Sequence, residues 1–206
     1  MYELSIFKNM NPEEIDNALR SLGARKINFK KEHIIVSNLV DDDLIGIILS
    51  GKASIVNYDY SGNRDIIDSL EYDAVFGKPF SHINSDISII ASEDCEVLFL
   101  DYHLIMSDDK YNKINYNINR LLTSKIYQLY LKIETLSKRT IRDKLLNYFN
   151  NMSKKYNKKS FNLPITYIEL ADYLSVDRSA MMREIKRLKD EKKISTDGKK
   201  ITINYN

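Results

Sequence analysis

One cysteine, three histidines and no tryptophan in 206 residues set the first limits. With Cys95 alone the chain can close no internal disulfide, and it cannot supply the several thiolates that an iron–sulfur cluster or a thiolate zinc site takes from one chain. A reducing cytoplasm is the natural setting. His33, His82 and His103 show no ligand spacing, so neither haem nor another metal is expected. Long apolar runs are also missing. The longest is broken by Ser50, and "MYELSIFKNMNPEEI" lacks the basic flank and apolar core of a signal peptide, so no membrane association or export is expected. There is no internal repeat, no cluster of histidines and carboxylates, and no nucleophile beside a base. The chain does not read as an enzyme.

What is present is an uneven distribution of charge. The formal net charge is +2, but residues 1–110 hold 10 Lys and Arg against 20 Asp and Glu, net −10, and residues 111–206 hold 21 against 9, net +12. With 43% hydrophobic residues the chain can build one generous domain or two small ones. The charge split suggests an acidic module joined to one suited to a polyanion.

Hydrophobic periodicity divides the chain in the same way. "NPEEIDNALRSL" places Ile15, Leu19 and Leu22 at helical spacing behind a proline suited to a first turn. From Arg25 to about Tyr102 the pattern becomes short β-rich runs: "KINF", "HIIVS", "LIGIIL", "KASIVNY", "RDIIDSL", "DISIIAS" and "EVLFLD". Many strands without intervening helices imply a sandwich, jelly roll or barrel. Ser61-Gly62-Asn63 marks a hairpin tip. After Tyr102 the helical period returns, and Leu122, Ile126, Leu129, Ile133 and Leu136 follow each other at spacings of 4, 3, 4 and 3, a coiled-coil seam. Such a stripe needs a partner, either its own domain or a second copy of the chain. A parallel homodimer suits an acidic module at one end and a basic one at the other. A further helix is expected at about Thr140 to Met152, with Ile141, Leu145, Tyr148, Phe149 and Met152 buried, and "SKKYNKKS" reads as a basic linker or loop.

The most informative stretch is "ITYIELADYLSVDRSAMMREIKRLKDEKKIS". Thr166 and Glu169 form a capping box, so a helix starts at Tyr167 and buries Leu170, Ala171 and Leu174. Asp177 can cap a second helix, in which Met181, Ile185 and Leu188 take the core positions. Arg178, Ser179, Met182, Arg183 and Lys186 must then face outward near its N-terminal end. Two helices joined by a short turn, with a basic outward face, form a helix-turn-helix whose second helix enters the major groove. Arginine matches guanine O6 and N7, and Ser or Met can meet a base edge or a thymine methyl. Beyond it, "KKISTDGKKITINYN" gives two β runs around Asp197-Gly198. That is the wing of a winged helix, where Lys199 and Lys200 suit phosphates. The blander alternative is an ordinary solvated, charge-rich helix.

These residues resemble the Crp/Fnr family of bacterial transcription regulators over nearly the whole chain. The helix-turn-helix is similar in register and length. "DDDLIGIILSGKASIV" and "DYSGNRDIIDSL" with "FGKPF" resemble the β-roll sensor, with Gly46, Gly51, Gly62 and Gly77 at matching turns. The heptad helix resembles the long dimerisation helix. The resemblance implies an α+β chain: a cyclic-nucleotide-binding-like β-roll (jelly roll) at 1–103, a dimerisation helix at 104–137 and a winged helix-turn-helix at 138–206. It places Arg178, Ser179 and Arg183 at the main base-reading positions with Lys186 nearby. Thr166, Met182, Lys199 and Lys200 complete the expected DNA surface. Where the family commonly has a glutamate between the arginines, this chain has Ser179.

The sensor departs further from the family. Members that bind cyclic AMP carry a Gly-Glu pair for the ribose and an Arg-Ser or Arg-Thr pair for the phosphate. Here Gly77 precedes Lys78, and Ser85 and Asp86 stand at the phosphate positions. An acidic Asp86 with no matching arginine opposes a phosphate, so cyclic AMP is not the expected effector, which remains unidentified. Gly77, Lys78, Phe80, Ser85 and Asp86 are the candidate effector residues. The expectation is a cytoplasmic, homodimeric regulator that reads a palindromic site on double-stranded DNA and, as the resemblance implies, works with RNA polymerase. The alternative is a small-molecule-binding protein whose basic module contacts protein or RNA.

Overall fold

The computed structural model describes residues 1–36, 43–58, 64–77 and 87–205, apart from the side chains of residues 64 and 65. The hairpin tip at Ser61-Gly62-Asn63 and the effector candidates Lys78, Phe80, Ser85 and Asp86 lie outside the described residues, as does His82. The chain divides into two compact units, Met1–Thr123 and Ser124–Asn206.

The first unit opens with a short helical turn at Ser5–Phe7 and helix α1, Pro12–Ser21. Asn11 starts α1 with a reciprocal capping box: its side chain accepts from the Glu14 N–H, and the Glu14 carboxylate accepts from the Asn11 N–H, both at 2.9 Å. Eight strands follow among the described residues: β1 Arg25–Phe29, β2 Ile34–Val36, β3 Leu44–Ser50, β4 Ala53–Tyr58, β5 Arg64–Leu70, β6 Val75–Gly77, β7 Ile87–Ala91 and β8 Cys95–Asp101. They form two four-stranded antiparallel sheets ordered β1-β8-β3-β6 and β2-β7-β4-β5.

The seven β-rich runs of the sequence correspond to seven of these strands. The eighth, β6, is only three residues long and was hidden in "LEYDAVFG". Strands β3 and β8 read as unbroken apolar runs because both of their faces are covered. Ile45, Ile47, Leu98 and Leu100 pack with α1 residues Ile15, Ala18 and Leu19, while Ile48, Val97 and Phe99 join a second cluster with Ala53, Leu70, Phe76 and Ile89.

After β8 the helical period is broken rather than continuous. Helix α2 runs Tyr102–Ser107, Asp108 takes extended backbone angles, and a single helical turn at Asp109–Tyr111 leads into α3, Asn112–Leu136. The start of α3 is held in the first unit's core by Ile114 and Ile118. Asn117 is buried with them, and its amide donates to the carbonyls of Ile6 (3.0 Å) and Lys8 (2.9 Å).

The second unit holds α4 Ile141–Tyr156, β9 Ser160–Asn162, α5 Tyr167–Leu174, α6 Arg178–Asp190, β10 Ile194–Asp197 and β11 Lys200–Ile203. Its three-stranded antiparallel sheet is ordered β10-β11-β9. "SKKYNKKS" is not the linker the sequence suggested. Its first four residues are the last turn of α4, Asn157 ends that helix in the left-handed conformation at φ 50°, and Ser160 begins β9. One core, built on Leu145, Tyr148 and Phe149 of α4, Leu170 and Leu174 of α5, Met181, Ile185 and Leu188 of α6 and Ile201 of β11, joins all these elements. No helix among the described residues is long and apolar enough to cross a membrane.

Candidate nucleic-acid interface

Local sequence sets the geometry of the α5–turn–α6 unit. The Thr166 hydroxyl accepts from the Glu169 N–H (3.2 Å), and the Glu169 carboxylate accepts from the Thr166 N–H (2.6 Å), closing the capping box that starts α5. Ser175 ends α5 in the left-handed region at φ 50°, a conformation most cheaply adopted by glycine. The Lys144 ammonium on α4 donates to the free Leu174 carbonyl at 2.9 Å, satisfying an acceptor that the helix end leaves without a partner. Two residues on, Asp177 caps α6 by accepting from the Ala180 N–H at 2.7 Å.

With Met181, Ile185 and Leu188 buried, α6 presents Arg178, Ser179, Met182, Arg183 and Lys186 to solvent on one face. Met182 is 39% exposed. Thr166 at the start of α5 is exposed, as are Lys199 and Lys200 at the wing. The wing is a tight hairpin in which Asp197 pairs with Lys200 and Gly198 takes φ +55°.

The basic residues of the unit fall into two classes. Arg142 on α4 donates to Glu184 of α6 (3.1 Å) and makes a two-pronged pair with Glu191, which follows the last turn of α6, and Arg187 pairs with Glu184 (3.2 Å). The Arg142 guanidinium holds the Glu191 carboxyl below the usual carboxylate range, with Lys193 adding to the effect. Arg178, Arg183, Lys186, Lys199 and Lys200 form no ion pair among the described residues. Arg142 and Arg187 are thus ion-paired, whereas the basic residues on the outward face of α6 form no such pair among the described residues.

The remaining sequence candidates are placed as follows. Gly77 ends β6 at φ +105°, where a Cβ would lie 2.4 Å from the Leu44 carbonyl oxygen, so this position excludes other residues sterically. Gly46 is not at a turn, as the resemblance suggested, but inside β3, with the Phe76 ring filling the space a Cβ would need (2.3 Å). Ile126, Leu129 and Ile133 of the seam are 66%, 49% and 67% exposed. Leu136 is half-buried, and Leu122 packs partly against the first unit's core. Among the described residues no three His, Cys, Asp or Glu side chains are grouped to hold a metal. Sequence reasoning missed Arg142, Lys144 and Tyr167, whose partners lie 30 to 49 residues away.

Residues 143–205 match the family model of the Crp-like helix-turn-helix domain. The regulatory protein HlyX of Actinobacillus pleuropneumoniae is 26% identical over 204 residues, covering 93% of this chain and 81% of that protein. Among solved structures, the Thermus thermophilus catabolite activator protein shares 20% identity at a TM-score of 0.52, covering 97% of this chain and 93% of that one. A CprK complexed with OCPA shares 13% at 0.66, covering 91% of each chain. The capped pair of helices and the wing fall within the match to the Crp-like helix-turn-helix domain, and the chain is a DNA-binding transcriptional regulator similar to Crp/Fnr-type proteins.

Proposed function

We propose that the protein acts as a homodimer that reads a two-fold symmetric DNA site under the control of an effector other than cyclic AMP. The observation that carries this reading is the outward face of α6, where Arg178, Arg183 and Lys186 have no ion-pair partner among the described residues while Arg142 and Arg187 do. Unpaired guanidinium groups on a helix capped at its N-terminus suit the bidentate acceptors of guanine in the major groove. Ser179 and Met182 would meet neighbouring base edges, and Thr166, Lys199 and Lys200 the phosphates.

The exposed seam supports the dimer. Leaving Ile126, Leu129 and Ile133 in water forgoes about 1.5–3 kcal/mol for each side chain that a partner could bury. A second copy with the same stripe is the self-complementary partner. Symmetric pairing would set two α6 helices about 34 Å apart, one turn of DNA.

On this reading residues 1–103 sense, 104–137 dimerise and 138–206 bind DNA, in the cytoplasm and in company with RNA polymerase. Lys78 after Gly77, and Asp86 at the phosphate position, oppose the chemistry of cyclic AMP. The likeness to a CprK complexed with OCPA supports ligand control of the same fold by other molecules. An effector would act by shifting the population between competent and incompetent dimers.

Selection of bound duplexes from random DNA by the purified protein tests the proposal. The expected result is a two-fold symmetric motif with half-sites one helical turn apart. Enrichment of no motif, together with salt-sensitive binding to every duplex, contradicts sequence reading by the protein alone and favours a partner-binding role.

A further inference from the structure

The turn of the wing is held in an unusual way. Around Gly198 there is open space: a Cβ built there would meet nothing within 4 Å. Packing therefore does not fix the turn, and hydrogen bonds must. Two successive carbonyls are held by the segment that leads into α5. The Leu163 N–H donates to the Lys199 carbonyl at 2.9 Å, and the Tyr167 hydroxyl donates to the Gly198 carbonyl at 3.1 Å. The Leu163 contact continues the pairing of β9 with β11, in which Asn162 faces Lys200. The Tyr167 contact is different in kind. It comes from a side chain in the first turn of α5, directly after the capping residue Thr166, and it crosses 31 residues of sequence.

The Tyr167 ring is half-buried and packs against the core of the unit. Burial pushes its hydroxyl above the usual tyrosine range, so it remains a donor throughout the physiological range. With the carbonyls of the turn directed to this segment, the exposed Lys199 and Lys200 side chains are left to solvent.

We propose that Tyr167 is a positioning residue for DNA binding: its hydroxyl ties the wing turn to the start of α5, so that Lys199 and Lys200 meet the same stretch of phosphate backbone that Thr166 approaches. The inference rests on the DNA-binding reading above. Tyr167 need touch no nucleotide itself. Its hydroxyl reduces the freedom of a glycine-containing turn, which would otherwise have to be ordered at the moment of binding.

The two readings separate by salt dependence, because each phosphate contact contributes about −0.9 to the slope of log affinity against log salt. Affinities for a duplex recovered by selection are measured from 50 to 200 mM salt for the wild type, for Tyr167→Phe, for Lys199→Ala with Lys200→Ala, and for the combination. The expected result has three parts. Tyr167→Phe binds about three- to tenfold more weakly, with a slope shallower by about one. The lysine substitutions cost less in the Phe background than in the wild type. The melting temperature stays within about 2 °C of the wild type, since the lost hydrogen bond is exposed. An unchanged slope in Tyr167→Phe, with the full lysine effect retained, overturns the proposal while leaving DNA binding by the wing intact. An unchanged slope on removing the two lysines from the wild type shows instead that the wing makes no phosphate contact, and Tyr167 loses its role with it. A lower melting temperature at unchanged slope reduces Tyr167 to a stabilising contact.

Discussion

In the first half of α3, Ile114 and Ile118 are sealed into the core of the first unit, 0% and 2% exposed, whereas Ile126 and Ile133 further along the same helix are 66% and 67% exposed. Tyr127 and Tyr130 share that exposure. The apolar residues of both halves recur at helical spacing, and composition does not separate them. What separates them is burial: the first half shares a core with residues of α1, β3 and β8, and the middle of the second half is exposed. A helix of exposed isoleucines gains little from propensity alone, and this is the contrast that the proposed dimer explains. Helix α6 shows the same contrast in charge instead of apolar area. Arg187 is paired with Glu184, and Arg183 forms no ion pair among the described residues.

The comparison can be broken at its strongest side first. Ile114→Ala should cost about 2–5 kcal/mol in urea unfolding, because it opens a cavity in a packed core; a loss below 1 kcal/mol would show the first half to be no better packed than the second. On α6, Arg183→Ala should cost about 1–3 kcal/mol of binding to the selected site and spare random DNA. Arg187→Ala, whose partner is Glu184, should change that discrimination by less than about 0.5 kcal/mol. Equal losses on both sequences for Arg183→Ala would remove it from base reading.

Two smaller effects sharpen the contrast between internal and external roles. Ser175 has a left-handed backbone that disfavours any side chain, so Ser175→Gly should raise stability by about 0.5 kcal/mol, read from the urea midpoint. A decrease would mean that its side chain makes a contact worth more than the backbone strain. The Glu191 carboxyl is held low by Arg142, and its folded-state value therefore lies below its unfolded one. Its contribution is present above about pH 4.3 and is lost as pH falls through the depressed value. Glu191→Gln should lower stability near neutrality and flatten the profile in that acid range, the two proteins converging as the carboxyl becomes protonated.

The sequence was most legible where one periodicity ran long enough to be seen. The apolar runs of β3 and β8, the spacing of Ile15 and Leu19 behind Pro12, the capping box at Thr166, and the spacing of Met181, Ile185 and Leu188 each predicted an element the structure contains. Legibility failed where an element was short or its last turn exposed. Strands β6 and β9 have three residues each, too few for a period. The end of α4 is Ser153-Lys154-Lys155-Tyr156, polar because it faces water, and it read as a linker. The outward face of α6 followed from its core positions, since on a helix one face fixes the other. The contacts of Arg142, Lys144 and Tyr167 could not be read in this way. They depend on which elements the fold brings together, and helical or strand periodicity carries no such information.

Pairing of the exposed half of α3 with a second copy is tested by sedimentation of the wild type and of Ile126→Asp with Ile133→Asp, alone and on the selected duplex. The prediction is two wild-type chains in solution and on each duplex, with a folded single chain and at least about a hundredfold weaker site binding for the variant. A wild type that sediments and binds as a single chain, or a variant that binds the site with full affinity, would contradict it.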